Sequence, residues 1–158
     1  MDKKIKLKLL IPSLILPILG GGVIGYLLKN SFGIFEKLYK PIFSPPAWLF
    51  GPVWAILYLL MGYGFYLMLT SSADPRRKKR ASRIFALQLG LNYLWPVLFF
   101  AMERYWAAFA LAAILLPAVF AAWLRFAHIS KAAGRALLPY LIWCFYALYL
   151  SAGIALLN

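Results

Sequence analysis

Five long stretches of the 158-residue chain contain no Asp, Glu, Lys or Arg, and they restrict the fold more than any other feature. These stretches are Leu9–Leu28, Trp48–Ala73, Ile84–Met102, Tyr105–Leu124 and Ala136–Asn158. A helix needs about 20 mostly apolar residues to cross the hydrocarbon core of a bilayer. We therefore predict an all-α membrane protein, a single-domain bundle of five transmembrane helices over residues 9–28, 48–70, 84–102, 105–124 and 136–156.

Composition supports the membrane assignment. Hydrophobic residues make up 65% of the chain and charged residues 13%, whereas soluble domains have roughly 45–50% and about 25%. The net charge of +13 would suggest nucleic acid on a soluble protein. Here the charges lie almost entirely between the apolar stretches, so we expect the lipid bilayer as a partner and no nucleic acid.

The first stretch follows MDKKIKLKLL, a start that also resembles a signal peptide. Its apolar run is longer than the usual 7–15 residues, and no A-x-A-like cleavage site closes it. We therefore expect it to remain as a helix. The charge pattern and the lack of a transit peptide favour a bacterial plasma membrane.

The distribution of Lys and Arg predicts the orientation of the bundle. Thirteen lie in the N-terminal tail and in the second and fourth loops, against four in the other two loops. The positive-inside rule then predicts a cytoplasmic N-terminus and an external C-terminus. The run DPRRKKR, residues 74–80, is best explained as a topology anchor.

The connection between the first two helices, residues 29–47, reads KNSFGIFEKLYKPIFSPPA. A flexible linker is rich in Gly and Ser, whereas this segment is rich in Pro and aromatic residues. We predict an ordered loop that lies over one end of the bundle as a lid.

Polar and aromatic residues recur at helical spacing within three of the predicted helices. The stripes are Phe50, Trp54 and Tyr58; Gln88, Asn92, Trp95 and Phe99; and Trp143, Ala147, Leu150 and Ser151. Polar residues in membrane helices usually face the bundle interior, so the stripes could form an aromatic cavity for a flat, largely apolar ligand. The alternative is that Trp and Tyr form interfacial belts and that Gln88 and Asn92 only join helices. Spacing alone does not decide between these interpretations.

Several chemistries are disfavoured. The predicted helices contain no acidic residue, His128 is the only histidine and Cys144 the only cysteine. Paired-carboxylate catalysis, a nucleophile–base pair or a metal site is hard to build from this set. There is no P-loop or dinucleotide fingerprint. We expect no metal site and no required cofactor.

Four motifs together resemble the translocator protein/tryptophan-rich sensory protein family, also called the peripheral benzodiazepine receptor family. They are P-P-x-W at residues 45–48, G-P-V-W-x-x-L-Y at 51–58, Q-L-x-L-N-x-x-W at 88–95 and P-Y-L-x-W at 139–143. The resemblance implies five helices, commonly a homodimer, and a cavity under the first loop. The ligands it implies are tetrapyrroles such as protoporphyrin IX or haem, sterols and benzodiazepine-type molecules.

The resemblance also implies which residues bind the ligand. The cavity residues would be Trp54, Tyr58, Asn92, Trp95, Trp143, Ala147, Leu150 and Ser151, closed from the loop side by Pro45, Trp48 and Phe50. Phe99 joins this set from the stripe on the third predicted helix. The leading function is a membrane receptor or carrier for tetrapyrroles, with Lys37 or Lys40 pairing the propionates. One alternative is light- and oxygen-dependent porphyrin degradation, in which Trp54 and Trp143 would be the catalytic residues. Another is a stress-related sensory protein that acts through a partner.

The chain departs from the family pattern in ways that affect ligand expectations. Ile42 and Phe43 stand after the loop's K-P, where many relatives have tryptophan. At the family's sterol motif in the fifth helix the chain has Ala152 with no following Lys or Arg, which makes sterol binding there doubtful. For the expected homodimer, small-x-x-x-small spacing at Ala86/Gly90 or at Gly21/Gly25 offers two candidate faces.

Overall fold

Within residues 6–158, which the computed structural model describes, five helices are long and apolar enough to cross a membrane. They are α1 (Leu7–Leu27), α3 (Phe50–Leu69), α4 (Pro75–Pro96), α5 (Tyr105–Ile129) and α6 (Lys131–Leu157), and a short helix, α2 (Ile34–Lys37), lies in the first loop. A 3₁₀ turn, Ala47–Leu49, leads into α3, and a π-helical segment, Val97–Ala101, follows α4. The predicted fold class, an all-α bundle of five transmembrane helices, is confirmed.

The third membrane helix begins nine residues earlier than its apolar stretch. The carboxylate of Asp74 accepts hydrogen bonds from the backbone N–H groups of Arg76 (2.8 Å) and Arg77 (3.2 Å), and Pro75 occupies the first helical position. Asp at the N-cap followed by Pro is a favoured helix start. The basic run is therefore helical and forms the first turns of α4.

The connection between α5 and α6 is shorter than the sequence predicts. Both helices extend into the predicted loop and leave only Ser130 between them, and the Ser130 hydroxyl accepts from the backbone N–H of Ala133. His128 lies in the last turn of α5, where Nδ1 is 2.7 Å from the Leu124 carbonyl oxygen. Charged residues at the ends of a membrane helix can lie beyond the hydrocarbon core. The helices are therefore longer than their uncharged stretches.

Helix contacts place the five long helices around the bundle in the order α1, α3, α6, α5, α4. The contact between α5 and α6 is the most extensive, and α1 packs mainly on α3. Where α1 and α4 meet, the contact is sparse. The interior on that side of the bundle is therefore the least filled.

Stacked phenylalanines fill the bundle towards the end that carries the basic α4 residues. The rings of Phe65 and Phe85 stack at 4.6 Å, and Phe85 and Phe126 at 5.5 Å. Phe85 and Phe126 are almost completely buried, as is Met61. This half of the bundle is a packed apolar core.

Candidate ligand-binding cavity

A cavity of about 650 Å³ lies among α1, α3, α4 and the first loop. This volume is in the range of small-molecule binding sites, roughly 300–1,000 Å³. Its walls are mainly aromatic and aliphatic, with Asn92 contributing an amide and Tyr58 a phenol. The lining residues are Ile18, Gly21, Gly22, Ile24, Gly25, Phe32, Phe35, Ala47, Trp48, Phe50, Gly51, Trp54, Ala55, Tyr58, Leu59, Asn92, Trp95, Pro96 and Phe100.

A chain of buried hydrogen bonds runs from the cavity wall across the bundle. The Tyr58 hydroxyl donates to Asn92 Oδ1 (2.8 Å), and Asn92 Nδ2 donates to the Tyr140 hydroxyl oxygen (3.2 Å). The Tyr140 hydroxyl in turn donates to Gln88 Oε1 (2.8 Å). The chain joins α3, α4 and α6, so Gln88 and Asn92 both join helices, and Asn92 also lines the cavity.

Asn92 retains hydrogen-bonding capacity towards a ligand. A side-chain amide has two N–H donors and an oxygen with two lone pairs, and the chain uses one donor and one lone pair. The indole Nε1 of Trp95 has no hydrogen-bond partner among the described residues, but it is buried and does not open onto the cavity. A ligand with polar groups at its edge would therefore meet the amide of Asn92.

The aromatic walls contact one another and are partly fixed before any ligand binds. The Trp54 ring centroid is 5.4 Å from that of Tyr58 and 6.5 Å from that of Trp143, the second contact being edge-to-face. Trp95 stacks on Phe99 at 4.8 Å. Aromatic pairs at these separations are mutually stabilising, so the large flat faces are held in place.

The structure separates the predicted site residues into two groups. Trp48, Phe50, Trp54, Tyr58, Asn92 and Trp95 line the main cavity. Trp48, at 71% exposure, lies at its mouth. The α6 residues and Phe99 instead line a separate void of about 20 Å³, which Phe50, Trp54 and Trp95 divide from the cavity; this second group is Phe99, Trp143, Ala147, Leu150 and Ser151. Pro45 lines neither space.

The π-helical segment explains why Phe100, which the stripe did not include, lines the cavity. Met102 N–H bonds to the Val97 carbonyl, five residues back, as in a π-helix. A π-helical turn is wider than an α-helical turn and places residues five apart on one face of the helix. Phe100 therefore lies on the same face as Trp95, and their ring centroids are 6.1 Å apart. Pro96 was the only local signal, because proline interrupts regular helical hydrogen bonding.

The sequence patterns did not predict that α1 forms a wall of the cavity, although they singled out two glycines of this helix. A Cβ on Gly21 would come within 2.1 Å of Tyr58 Cε2, whereas Gly22 and Gly25 face open space. Gly21 and Gly25 both line the cavity of their own bundle, so this candidate dimer face on α1 overlaps the cavity wall. Ala86 and Gly90 remain exposed on α4.

One of the two predicted propionate partners is already engaged. Lys40 Nζ donates to the carbonyl oxygens of Phe35 (2.9 Å) and Glu36 (3.3 Å) and lies 5.0 Å from the Phe35 ring centroid. Lys37 is exposed at the end of α2. Of the two lysines, Lys40 is thus the one held by backbone carbonyls.

Fold and cavity together define a class: integral membrane proteins of five helices with an aromatic chamber under the first loop. The TspO/MBR family model matches residues 13–157. The chain is 35% identical over 130 residues to the tryptophan-rich protein TspO of Chlorobaculum tepidum, covering 82% of each chain. It is 40% identical over 124 residues to the tryptophan-rich protein TspO of Archaeoglobus fulgidus (78% of this chain, 79% of the relative) and 34% over 137 residues to the translocator protein of Ovis aries (83% and 79%). The chain belongs to the TspO/MBR family, and the resemblance read from its motifs is confirmed.

Proposed function

We propose that the protein is a membrane receptor or carrier that binds tetrapyrroles such as protoporphyrin IX in the 650 Å³ cavity. The observation that carries the proposal is a chamber walled by indole and phenyl faces with one amide side chain, Asn92, in its lining. A macrocycle is flat and apolar over its faces and polar at its edge. Such a ligand stacks on Trp54 and Phe100 while Asn92 hydrogen-bonds the edge.

The mouth of the cavity suits the acidic end of the ligand. Trp48 lies there with most of its surface exposed, and the exposed Lys37 is on the same loop. Placing the propionates at this end leaves the charged groups near water, which avoids burying them unpaired. Benzodiazepine-type and sterol-like molecules share the apolar part of this chemistry and are expected to compete.

The test is a protoporphyrin IX titration of the purified protein in nanodiscs, followed by tryptophan quenching and by the porphyrin absorption band. Trp54→Phe replaces an indole that lines the cavity with a smaller phenyl ring. We expect this change to weaken binding by about fivefold, or about 1 kcal/mol. Trp106→Phe is the matched control, because Trp106 is exposed on α5. Trp143→Phe should have a smaller effect than Trp54→Phe, since Trp143 lines only the adjoining void.

Asn92→Leu tests the polar contact, with Tyr140→Phe as its control. Both substitutions break the buried hydrogen-bond chain, but only the first removes a group from the cavity lining. Selective loss of affinity in Asn92→Leu supports the proposal. Equal titration curves for the parent, Trp54→Phe and Asn92→Leu would show that the porphyrin only partitions into lipid.

Light-dependent porphyrin degradation is a second candidate, favoured by the edge-to-face contact of Trp54 with Trp143. A photo-excited macrocycle in the cavity would lie against Trp54, which would donate an electron to it and recover one from Trp143. Dioxygen would then add to the macrocycle, the electron would return to Trp143, and both oxygen atoms would end in the ring-opened product. A defined open-chain product formed under light and lost in Trp143→Phe would support this activity. Unspecific bleaching at the same rate in both proteins would contradict it.

For the membrane, we propose a bacterial plasma membrane with the N-terminus cytoplasmic and the C-terminus external. The exposed basic residues Arg76, Arg77, Lys79 and Arg80 lie at the end of α4 that begins in the second loop. Clustered positive charge beside a membrane helix favours the cytoplasmic side. We further propose a homodimer whose interface includes Ala86 and Gly90, the small residues that remain exposed on α4.

A further inference from the structure

Residues 39–43 of the first loop, which we term the strap, run along α6 in the opposite direction to that helix. At its start, Tyr39 N–H donates to Asn158 Oδ1 (3.1 Å), and Asn158 Nδ2 donates to the Tyr39 carbonyl (2.9 Å). Further along, the hydroxyl of Tyr149 donates to the Ile42 carbonyl (2.6 Å), and that of Tyr146 donates to the Phe43 carbonyl (2.7 Å). The strap thus descends from the C-terminal end of α6 towards its middle.

Its partners on α6 indicate how far the strap descends. From Asn158 to Tyr146 is twelve residues, about 18 Å along a helix at 1.5 Å per residue. If about 20 residues after Arg135 span the hydrocarbon core, the core ends near Ala155. Tyr149 and Tyr146 lie six and nine residues inside that limit, about 9 and 14 Å. The segment from Tyr39 to Phe43 spans at most about 14 Å, so the tip lies less deep than Tyr146 and is level with the outer part of the acyl chains.

Most carbonyl groups of the strap accept hydrogen bonds from side chains of the protein. The carbonyls of Tyr39, Ile42 and Phe43 all accept side-chain hydrogen bonds, and the Ser44 hydroxyl donates to the Pro41 carbonyl (2.8 Å). Pro41 has no N–H to satisfy, whereas the N–H groups of Ile42 and Phe43 have no partner within residues 6–158. Non-helical backbone at membrane depth requires internal pairing, because lipid offers no hydrogen-bond partner, and these carbonyl groups of the strap meet that requirement.

The side chains at the tip point away from the protein. Ile42 is 75% and Phe43 84% exposed, and Phe43 adopts a φ of 65°. A bulky residue in this left-handed region is strained, and such strain persists where the surroundings fix it. Here the two tyrosine hydroxyls hold the carbonyls on either side. On α6, the neighbouring Phe145 is exposed too, so the tip continues the apolar surface of a membrane helix.

We propose that the strap is a re-entrant lipid anchor, and that Ile42 and Phe43 insert among the acyl chains of the leaflet at the C-terminal end of α6. The occupant of this surface is bilayer lipid, because the exposed tip adjoins a helix face that already meets lipid. The same segment leads through Pro45 and Pro46 to Trp48 at the cavity mouth. The lid is thereby tied to the membrane at a depth that a loop in water would not reach.

Nitroxide labelling in nanodiscs tests the anchor without any ligand. In a Cys144→Ala background, Phe43→Cys and, separately, Ile42→Cys are spin-labelled, and collision with oxygen and with water-soluble nickel–EDDA is measured. Phe145→Cys is the lipid-facing reference and Lys37→Cys the water-facing reference, since both residues are exposed. Using two strap positions guards against disturbance of the strained Phe43 backbone.

We expect high oxygen and low nickel–EDDA accessibility at both strap positions, matching Phe145→Cys. Adding Tyr146→Phe and Tyr149→Phe should raise nickel–EDDA accessibility at position 42, because two carbonyls lose their donors and the strap moves towards water. Nickel–EDDA accessibility equal to that of Lys37→Cys would overturn the proposal. Low accessibility to both reagents would also overturn it, since protein, such as a second copy of the chain, would then cover the tip.

Discussion

Tyr140 is completely buried on α6, and its hydroxyl both donates to Gln88 and accepts from Asn92. Tyr140→Phe removes both bonds with almost no change in ring volume. A buried polar group left without a partner costs about 1–3 kcal/mol. We expect the substitution to lower the free energy of unfolding by that order, seen as a lower thermal-unfolding midpoint in detergent.

The control for Tyr140→Phe is Tyr63→Phe, because Tyr63 is 47% exposed on α3. Its substitution should leave the midpoint unchanged. If both variants unfold at the parent temperature, the hydrogen-bond chain contributes little to stability. Its side chains would then be available to bind a ligand.

At the scale of the residue, the sequence identified Trp54, Tyr58, Asn92 and Trp95, and the structure brings these four to one cavity. Helical spacing predicts such sets because it fixes which residues share a face. Spacing within one helix does not fix how far that face lies from a neighbouring helix. The α6 stripe around Trp143 therefore faces inward, as the pattern indicates, yet lies behind Trp54 at a smaller void.

Helix α1 approaches α3 closely enough that Gly62 has no room for a side chain. A Cβ there would lie 2.6 Å from the Ser13 carbonyl oxygen and 2.8 Å from Leu14 Cα, both backbone atoms. Backbone cannot move aside as a side-chain tip can, so we expect Gly62→Ala to destabilise the protein by about 1–3 kcal/mol. Thermal unfolding in nanodiscs measures the change.

Gly22→Ala, measured without ligand, is the matched control, since a Cβ at Gly22 on α1 meets open space. It should unfold at or slightly above the parent midpoint, because Ala is the better helix former. Equal destabilisation by both substitutions would mean that glycine matters for helix flexibility rather than for the approach of α1 to α3.

At the scale of the element, the sequence predicts the helices but not all of their boundaries and local geometries. Asp74-Pro75 is a helix start that sequence rules could have recognised, although the apolar stretch placed the boundary at Ile84. The π-helical segment after Pro96 has no comparable signature, because proline leaves several local geometries open. That segment determines whether Phe99 or Phe100 meets the cavity.

The whole bundle is closed at one end and open at the other. Stacked Phe65, Phe85 and Phe126 fill the interior towards the basic end, and the cavity lies towards the first loop. This arrangement suits a binding site reached from the loop side or from between α1 and α4, and it does not suit a continuous pore. Movement of a ligand through the bundle would require those rings to separate.

Orientation is the prediction that belongs to the whole molecule. With alkaline phosphatase fused after Asn158 we expect activity in bacterial cells, and with a fluorescent protein at the same place we expect no fluorescence. Replacing Arg76, Arg77, Lys79 and Arg80 by Gln, while keeping Lys78 because it caps α3 through the Leu69 carbonyl, should reduce that bias. Fluorescence of the C-terminal fusion in the parent would contradict the proposed orientation.

The sequence by itself determined that this is a bundle of five membrane helices of the TspO/MBR family, and it identified the indoles and the amide that meet at the cavity. The helices and the inward-facing stripes follow from local hydropathy and periodicity, which a chain carries residue by residue, and the family follows from the resemblance of four short motifs. Only the tertiary structure decided that α1 forms a cavity wall, that Trp143 lies behind Trp54, and that residues 39–43 follow α6. These depend on distances between segments far apart in the chain, and no local pattern encodes them.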